Sequence, residues 1–153
     1  MSDPAITIRP AQAADLETVV EFNRRLALET ESKELPLPTL RAGVAAALAD
    51  PHKARYFMAE VDGEIAGQLM LTREWSDWRN GDIWWIQSVY VAHDFRRRGV
   101  FTALYRHVEQ LARTQPDVAG LRLYVEAHNY AAQQVYMALG MKPAGYHVLE
   151  SLW

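Results

Sequence analysis

Hydrophobic residues recur along this chain with two different periods, and the switches between them mark out its elements. Residues 5–9 alternate as Ala-Ile-Thr-Ile-Arg, the pattern of a half-buried strand, which Pro10 should end. Asp15 is placed to cap a helix in which Leu16, Val19, Val20, Leu26 and Ala27 recur at helical spacing. Residues 29–38 are acidic, carry Pro36 and Pro38, and read as an exposed loop. Thr39 then caps a second helix with Leu40, Val44, Ala47 and Leu48 inward, stopped by Asp50-Pro51. Residues 55–61 and 64–72 flank Asp62-Gly63, the strongest hairpin signal in the chain. A connection over 74–82 follows and closes with Asn80-Gly81.

Residues 83–91 are apolar at nearly every position and predict a strand covered on both faces. The turn over 94–99 changes the period. Val100, Phe101, Leu104, Tyr105, Val108 and Leu111 then share one face of a helix reaching about residue 113. After Gln115-Pro116-Asp117, residues 121–126 alternate as a strand, about 130–139 form a short helix, and 144–152 give a last strand. The helix after residue 100 is long enough to join parallel neighbours. The expected fold is therefore α+β, with a mixed central sheet.

At 153 residues the chain should be one domain, 1–153, large enough to bury a core. Half of its residues are hydrophobic and 23% are charged, which is ordinary for a globular protein. A net charge of -3 and a pI near 5.9 argue against a general nucleic-acid-binding surface. The absence of cysteine excludes disulfides, thiolate nucleophiles and cysteine metal sites. The five histidines show no metal-binding spacing, and no metal is expected. The first residues lack the pattern of a signal peptide, and no apolar run approaches the ~20 residues that span a bilayer. A cytoplasmic protein with no membrane partner is expected.

Chemistry concentrates at the strand–turn–helix junction. A strand, a glycine turn and a helix N-terminus make an anion cradle, because the first helical N–H groups lack internal partners and carry partial positive charge. Arg96, Arg97 and Arg98 add fork-shaped donors suited to phosphate, and Gly99 sits where the backbone must bend.

Arg96-Arg97-Arg98-Gly99-Val100-Phe101 resembles the acyl-CoA pyrophosphate loop of the GNAT superfamily of N-acetyltransferases, whose pattern is Gln/Arg-x-x-Gly-x-Gly/Ala. Phe101 departs from the small residue usual at the last position, so its ring should point to the core. A second block, Asn129-x-x-Ala132-x-x-x-Tyr136-x-x-x-Gly140-Met141, resembles the later motif of that family. The resemblance implies a mixed sheet of six to seven strands with about four helices, whose fourth and fifth strands splay apart around the pantetheine arm. It implies acetyl-CoA as co-substrate, held by Val89, Tyr90 and Val91 of the strand, by Arg96, Arg97, Arg98, Gly99, Val100, Phe101 and Thr102 of the loop, and by Asn129 and Tyr136. Tyr136 matches the position of the general acid that protonates the departing thiolate.

A general base is harder to place. Many relatives carry a glutamate on the central strand, where this chain offers Trp84, Trp85, Gln87 and Ser88. Glu126 is one substitute, and Glu29 and Glu34 are others. For the acceptor, Glu29, Trp75, Trp85 and Gln87 are the candidate contacts, since aromatic faces and carboxylates suit a cationic amine. Trp84 and Trp85 must point to opposite faces, so one of them at most reaches the acceptor. The function implied is transfer of an acetyl group to the primary amine of a small molecule or peptide by direct attack. A non-catalytic acyl-CoA sensor is the alternative, and the exposed aromatics permit a homodimer.

Overall fold

The computed structural model describes residues 5–153, which fall into two compact units, one running to Leu123 and the other covering Tyr124–Trp153. The first unit is built on five strands: β1 (Ile6–Pro10), β2 (Arg55–Val61), β3 (Glu64–Ser76), β4 (Gly81–Val91) and β5 (Val118–Arg122). They lie in the order β1-β2-β3-β4-β5. The first four pair antiparallel and β5 runs parallel to β4, so the sheet is mixed as expected. Asp62 and Gly63 both take positive φ, 52° and 79°, which is what a two-residue hairpin turn between Val61 and Glu64 requires.

Helices α1 (Leu16–Glu31) and α2 (Leu37–Ala49) belong to this unit, as does α3 (Val100–Arg113), which makes the crossover between β4 and β5. Alternation along the strands supplies two apolar faces. One joins Tyr56, Met58 and Tyr90 to Val19, Val20 and Phe22 of α1 and Val44 of α2. Phe57 points the other way, with its ring 5.5 Å from that of His107 on α3. Leu104 and Val108 of the same helix are fully buried. In the second unit, α4 (Tyr130–Ala138) is capped by Asn129, whose Oδ1 accepts the Ala132 N–H at 3.1 Å.

Several local expectations are corrected. The sheet has five strands among the described residues rather than six to seven, because residues 144–152 form no strand. Alternation makes a segment fit for pairing, but a strand exists only with a ladder partner. The strand expected over 121–126 lies earlier in the chain, at Val118–Arg122. Helix α1 runs on to Glu31 and ends at Ser32 in the left-handed conformation, which puts Glu29 on the last helical turn instead of in a loop. Pro36 and Pro38 do not interrupt structure there. They open α2 at its cap and first turn, where a proline costs no hydrogen bond, and Thr39 is already inside the helix. Asp15 precedes α1 but makes no side-chain cap. Its carboxylate takes the Arg9 guanidinium at 2.8 and 2.9 Å and the Gln12 N–H at 2.7 Å.

Candidate functional site

Strand β4 carries an extra residue near its end. Between the pairs Met70↔Gln87 and Gln68↔Tyr90 it advances one residue more than β3, and Ser88 takes a left-handed φ of 49°. This is a bulge of the kind that bends a strand and re-aims its edge. The fully buried Gln68 side chain holds it, with Nε2 donating to the Ser88 carbonyl at 3.0 Å. Past the bulge, Val91 still pairs with Gly67 of β3. On the opposite edge, pairing with β5 involves Asp82 to Trp85 alone, so residues 86–91 have no strand ladder there among the described residues.

Gly67 lets β4 and α3 close on β3. A Cβ at that position would stand 2.8 Å from the Tyr90 carbonyl and 3.2 Å from Val100 Cγ1. The chain then turns through Arg97 and Gly99, at φ 64° and 80°, into α3. The first bond of that helix runs from the Ala103 N–H to the Gly99 carbonyl at 3.0 Å, so the amides of its first turn face out of its N-terminal end. Gly99 and Thr102 are exposed, Val100 is buried, and Phe101 lies half-buried with its ring 6.2 Å from that of Tyr105.

The three arginines have different surroundings. Arg96 Nε donates to the Val91 carbonyl at 2.9 Å and Nη2 to Glu29 Oε1 at 2.8 Å, while its guanidinium lies 5.4 Å from the Tyr90 ring centroid. Tyr90 donates its hydroxyl to Glu29 Oε2 at 2.5 Å. The Tyr90 hydrogen bond and then the Arg96 guanidinium hold the Glu29 carboxyl below the ordinary glutamate value. Glu29 thus locks α1 to the end of β4, and a carboxylate so satisfied is a weak proton acceptor. Arg98 stacks on Phe95 at 5.7 Å, and Arg97 is exposed.

The face of the sheet that carries Met70 has a polar cluster farther along. Trp85 Nε1 donates to Glu74 Oε1 at 2.7 Å, and Arg122 Nη1 lies 3.1 Å from the same oxygen. Gln87 Nε2 donates to Thr72 Oγ1 at 2.5 Å. Trp85 and Gln87, both expected at an acceptor site, are therefore brought to one wall. Trp84 points to the other face and is 4% exposed. Trp75 sits on the extended β3 and is exposed, away from the loop position expected for it. Sequence reasoning overlooked Gln68, Thr72 and Arg122. A glutamine inside an otherwise apolar strand run is the signal that marks Gln68.

In the second unit Tyr136 is half-buried, and burial raises its phenol pKa above the ordinary tyrosine value, so it stays protonated at neutral pH. Glu126 is exposed, and its carboxylate accepts the His128 N–H at 2.8 Å. Asn129 spends its oxygen on the cap of α4 and keeps its amide N–H₂ as a donor.

Comparison with known proteins agrees with this architecture. Residues 19–141 match the model of the Acetyltransferase (GNAT) family. The crystal structure of a possible acetyltransferase from Clostridium difficile 630 superposes with a TM-score of 0.91 over 97% of both chains, at 42% identity. Phosphinothricin N-acetyltransferase of Streptomyces viridochromogenes is 28% identical, over 93% of this chain and 83% of that protein. An N-alpha-acetyltransferase of Sulfurisphaera tokodaii is 26% identical, over 88% of this chain and 79% of that protein. Among the described residues no helix is long and apolar enough to cross a membrane. With a family match spanning most of its length, a bulged central strand and a glycine turn into α3, this chain belongs to the GNAT acetyltransferase family.

Proposed function

We propose that this chain is an acetyl-CoA-dependent N-acetyltransferase that acts on the primary amine of a small molecule or peptide. The carrying observation is the junction of β4 and α3, where an edge free of strand pairing among the described residues leads through Gly99 to the open N-terminus of a helix. Such an edge suits the amide-bearing pantetheine arm, which can add to it as a strand does, through Val89, Tyr90 and Val91. The helix end suits the pyrophosphate, with Gly99, Val100, Phe101 and Thr102 supplying backbone and Arg97 and Arg98 supplying charge. Arg96, already tied to Glu29, shapes the turn. Asn129 offers an amide donor to the same cofactor.

Acetyl-CoA would supply the activated thioester. The neutral amine attacks its carbonyl carbon, the carbon–sulfur bond breaks, and the Tyr136 hydroxyl gives the thiolate its proton. Backbone N–H groups of Val89 to Val91 polarise the carbonyl as charge develops. The ammonium proton leaves through Glu126, directly or by water. Trp85, Gln87 and Trp75 contact the acceptor, whose positive charge the aromatic faces suit, while Glu29, expected there from the sequence, is spent on the lock with Arg96 and Tyr90. A single functional domain over 1–153, a cytoplasmic location and a homodimer complete the reading.

Thermal shift with acetyl-CoA and with CoA fragments, followed by free-thiol release across a panel of amines, tests it. Stabilisation that needs the pyrophosphate, with thiol release for one amine class, is the expected result. Stabilisation without turnover for any amine would instead support a non-catalytic acyl-CoA sensor. No stabilisation at saturating cofactor would overturn the reading of Arg96 to Phe101.

A further inference from the structure

At the other end of β4, a cavity of about 190 Å³ is lined by Arg55, Arg73, His52, Trp84, Asp82 and Asp117 among others. We propose that this cavity is a binding site for a small oxyanion, a carboxylate or a phosphate, held by the guanidinium groups of Arg55 and Arg73.

The register places both arginines on one face of the sheet. Arg55 pairs with Leu71, and Arg73, two residues further along β3, pairs with Trp84. Like charges at such diagonal positions repel each other. Arg55 is also partly withdrawn from water. Its guanidinium lies 5.2 Å from the Trp84 ring centroid and 5.4 Å from that of Phe57, two side chains only 4% and 2% exposed. Burial, and then the charge of Arg73, lower the Arg55 pKa from its ordinary value.

Several arginines elsewhere in the chain meet carboxylates, whereas Arg79 bonds Ser76, Arg98 stacks on Phe95 and Arg97 is exposed. Arg9 reaches Asp15 and Glu60, Arg96 reaches Glu29, and Arg122 reaches Glu74. Among the described residues Arg55 and Arg73 make no such ion pair. Arg73 Nη2 instead lies 3.0 Å from His52 Nδ1, which steadies the guanidinium at the rim of the cavity. A half-buried cation beside a second cation is costly without a counter-charge, and an oxyanion between the two supplies one. The planar forks match carboxylate and phosphate oxygens, and the ring of Trp84 gives Arg55 a rigid backing. Asp82 and Asp117 line the same cavity without pairing to either arginine, so the site favours a small ligand of low charge over a polyanion. From Trp84 to Val91 the strand spans roughly 20 Å, which keeps this cavity apart from the β4–α3 junction.

The test uses the full chain saturated with CoA, so that the phosphate cradle is filled. Inorganic phosphate, and separately acetate, is titrated at constant ionic strength while the Trp84 indole N–H is followed by NMR, the signal being assigned by Trp84→Phe. A saturable shift is expected for at least one anion, weakened about tenfold or more in Arg55→Gln and in Arg73→Gln. Phosphate alone, acetate alone or both would identify the preferred oxyanion. Arg55→Lys keeps the charge and loses the fork, and should weaken binding less than Arg55→Gln. No saturable shift in the wild type, or binding of unchanged affinity in folded Arg55→Gln and Arg73→Gln proteins, would overturn the proposal.

Discussion

The side-chain amide of Gln68 donates to the carbonyl of Ser88 at 3.0 Å, and so ties the buried middle of β3 to the left-handed residue of the β4 bulge. Ser88 has no glycine-like freedom at φ 49°, so this conformation needs an external hold. Gln68 Oε1 has no hydrogen-bond partner among the described residues, which is a cost the fold carries to keep the amide there. Gln68→Leu should remove the bond while nearly keeping the volume. Loss of a buried partner costs about 1–3 kcal/mol, partly offset here because the unpaired oxygen also disappears. We expect a small drop in stability, but markedly faster amide exchange at 88–90 and a raised KM for acetyl-CoA. Unchanged exchange at these amides would show that the bulge holds itself.

Gly67→Ala should destabilise by about 1–3 kcal/mol, the usual cost of overpacking. The new methyl would meet the Tyr90 carbonyl at 2.8 Å, and a backbone atom cannot swing aside as a side-chain tip can. Chemical denaturation gives the value. A neutral result would mean that β4 and α3 are less tightly seated than this contact implies.

Arg97 and Arg98 should contribute differently from Arg96. Replacing the first two by alanine leaves the Arg96–Glu29–Tyr90 lock intact, so CoA affinity should fall about tenfold or more with little change in melting temperature. Arg96→Ala removes the partner of Glu29 and should lower both affinity and stability. Calorimetry with CoA alongside thermal melts separates the two behaviours.

Tyr136→Phe should reduce kcat about a hundredfold or more while acetyl-CoA affinity holds, as expected for the loss of a general acid. Steady-state kinetics and a direct binding titration are both needed. Turnover equal to wild type would remove Tyr136 from the mechanism.

Asp15 predicts an acid dependence. Arg9, by its hydrogen bonds, holds the Asp15 carboxyl below its ordinary value of 3.8, the Gln12 N–H adding to the same direction. A carboxyl depressed in the folded state contributes stability that is fully present above the unfolded value. That stability is lost as pH falls from about 4 through the folded value. Asp15→Asn should therefore be destabilised relative to wild type at pH 7, with the gap shrinking below pH 4. Urea unfolding at pH 7 and pH 3 measures it, and a gap that stays constant would exclude the linkage.

Local pattern in the chain is enough to place much of this fold. The two-residue turn at Asp62-Gly63 and the alternation around it predict β2 over 55–61, and the helical face from Val100 to Leu111 predicts α3 over 100–113. These elements are legible because their signals are short-range: turn chemistry, periodicity and a glycine where the backbone must bend. The arginine–glycine turn is legible for the same reason, and the Asn129–Tyr136 block through its resemblance to the later motif of the family.

What tertiary structure alone decides is the pairing of residues far apart in sequence. Arg96 with Glu29, Glu74 with Arg122, and Gln68 with Ser88 are contacts that no local period encodes. They give Glu29 a locking role in place of that of a free carboxylate, and they set the bulge that opens β4. The alternation over 144–152 shows the limit from the other side. A strand is a property of two segments and their ladder, so a pattern fit for pairing forms no strand without one.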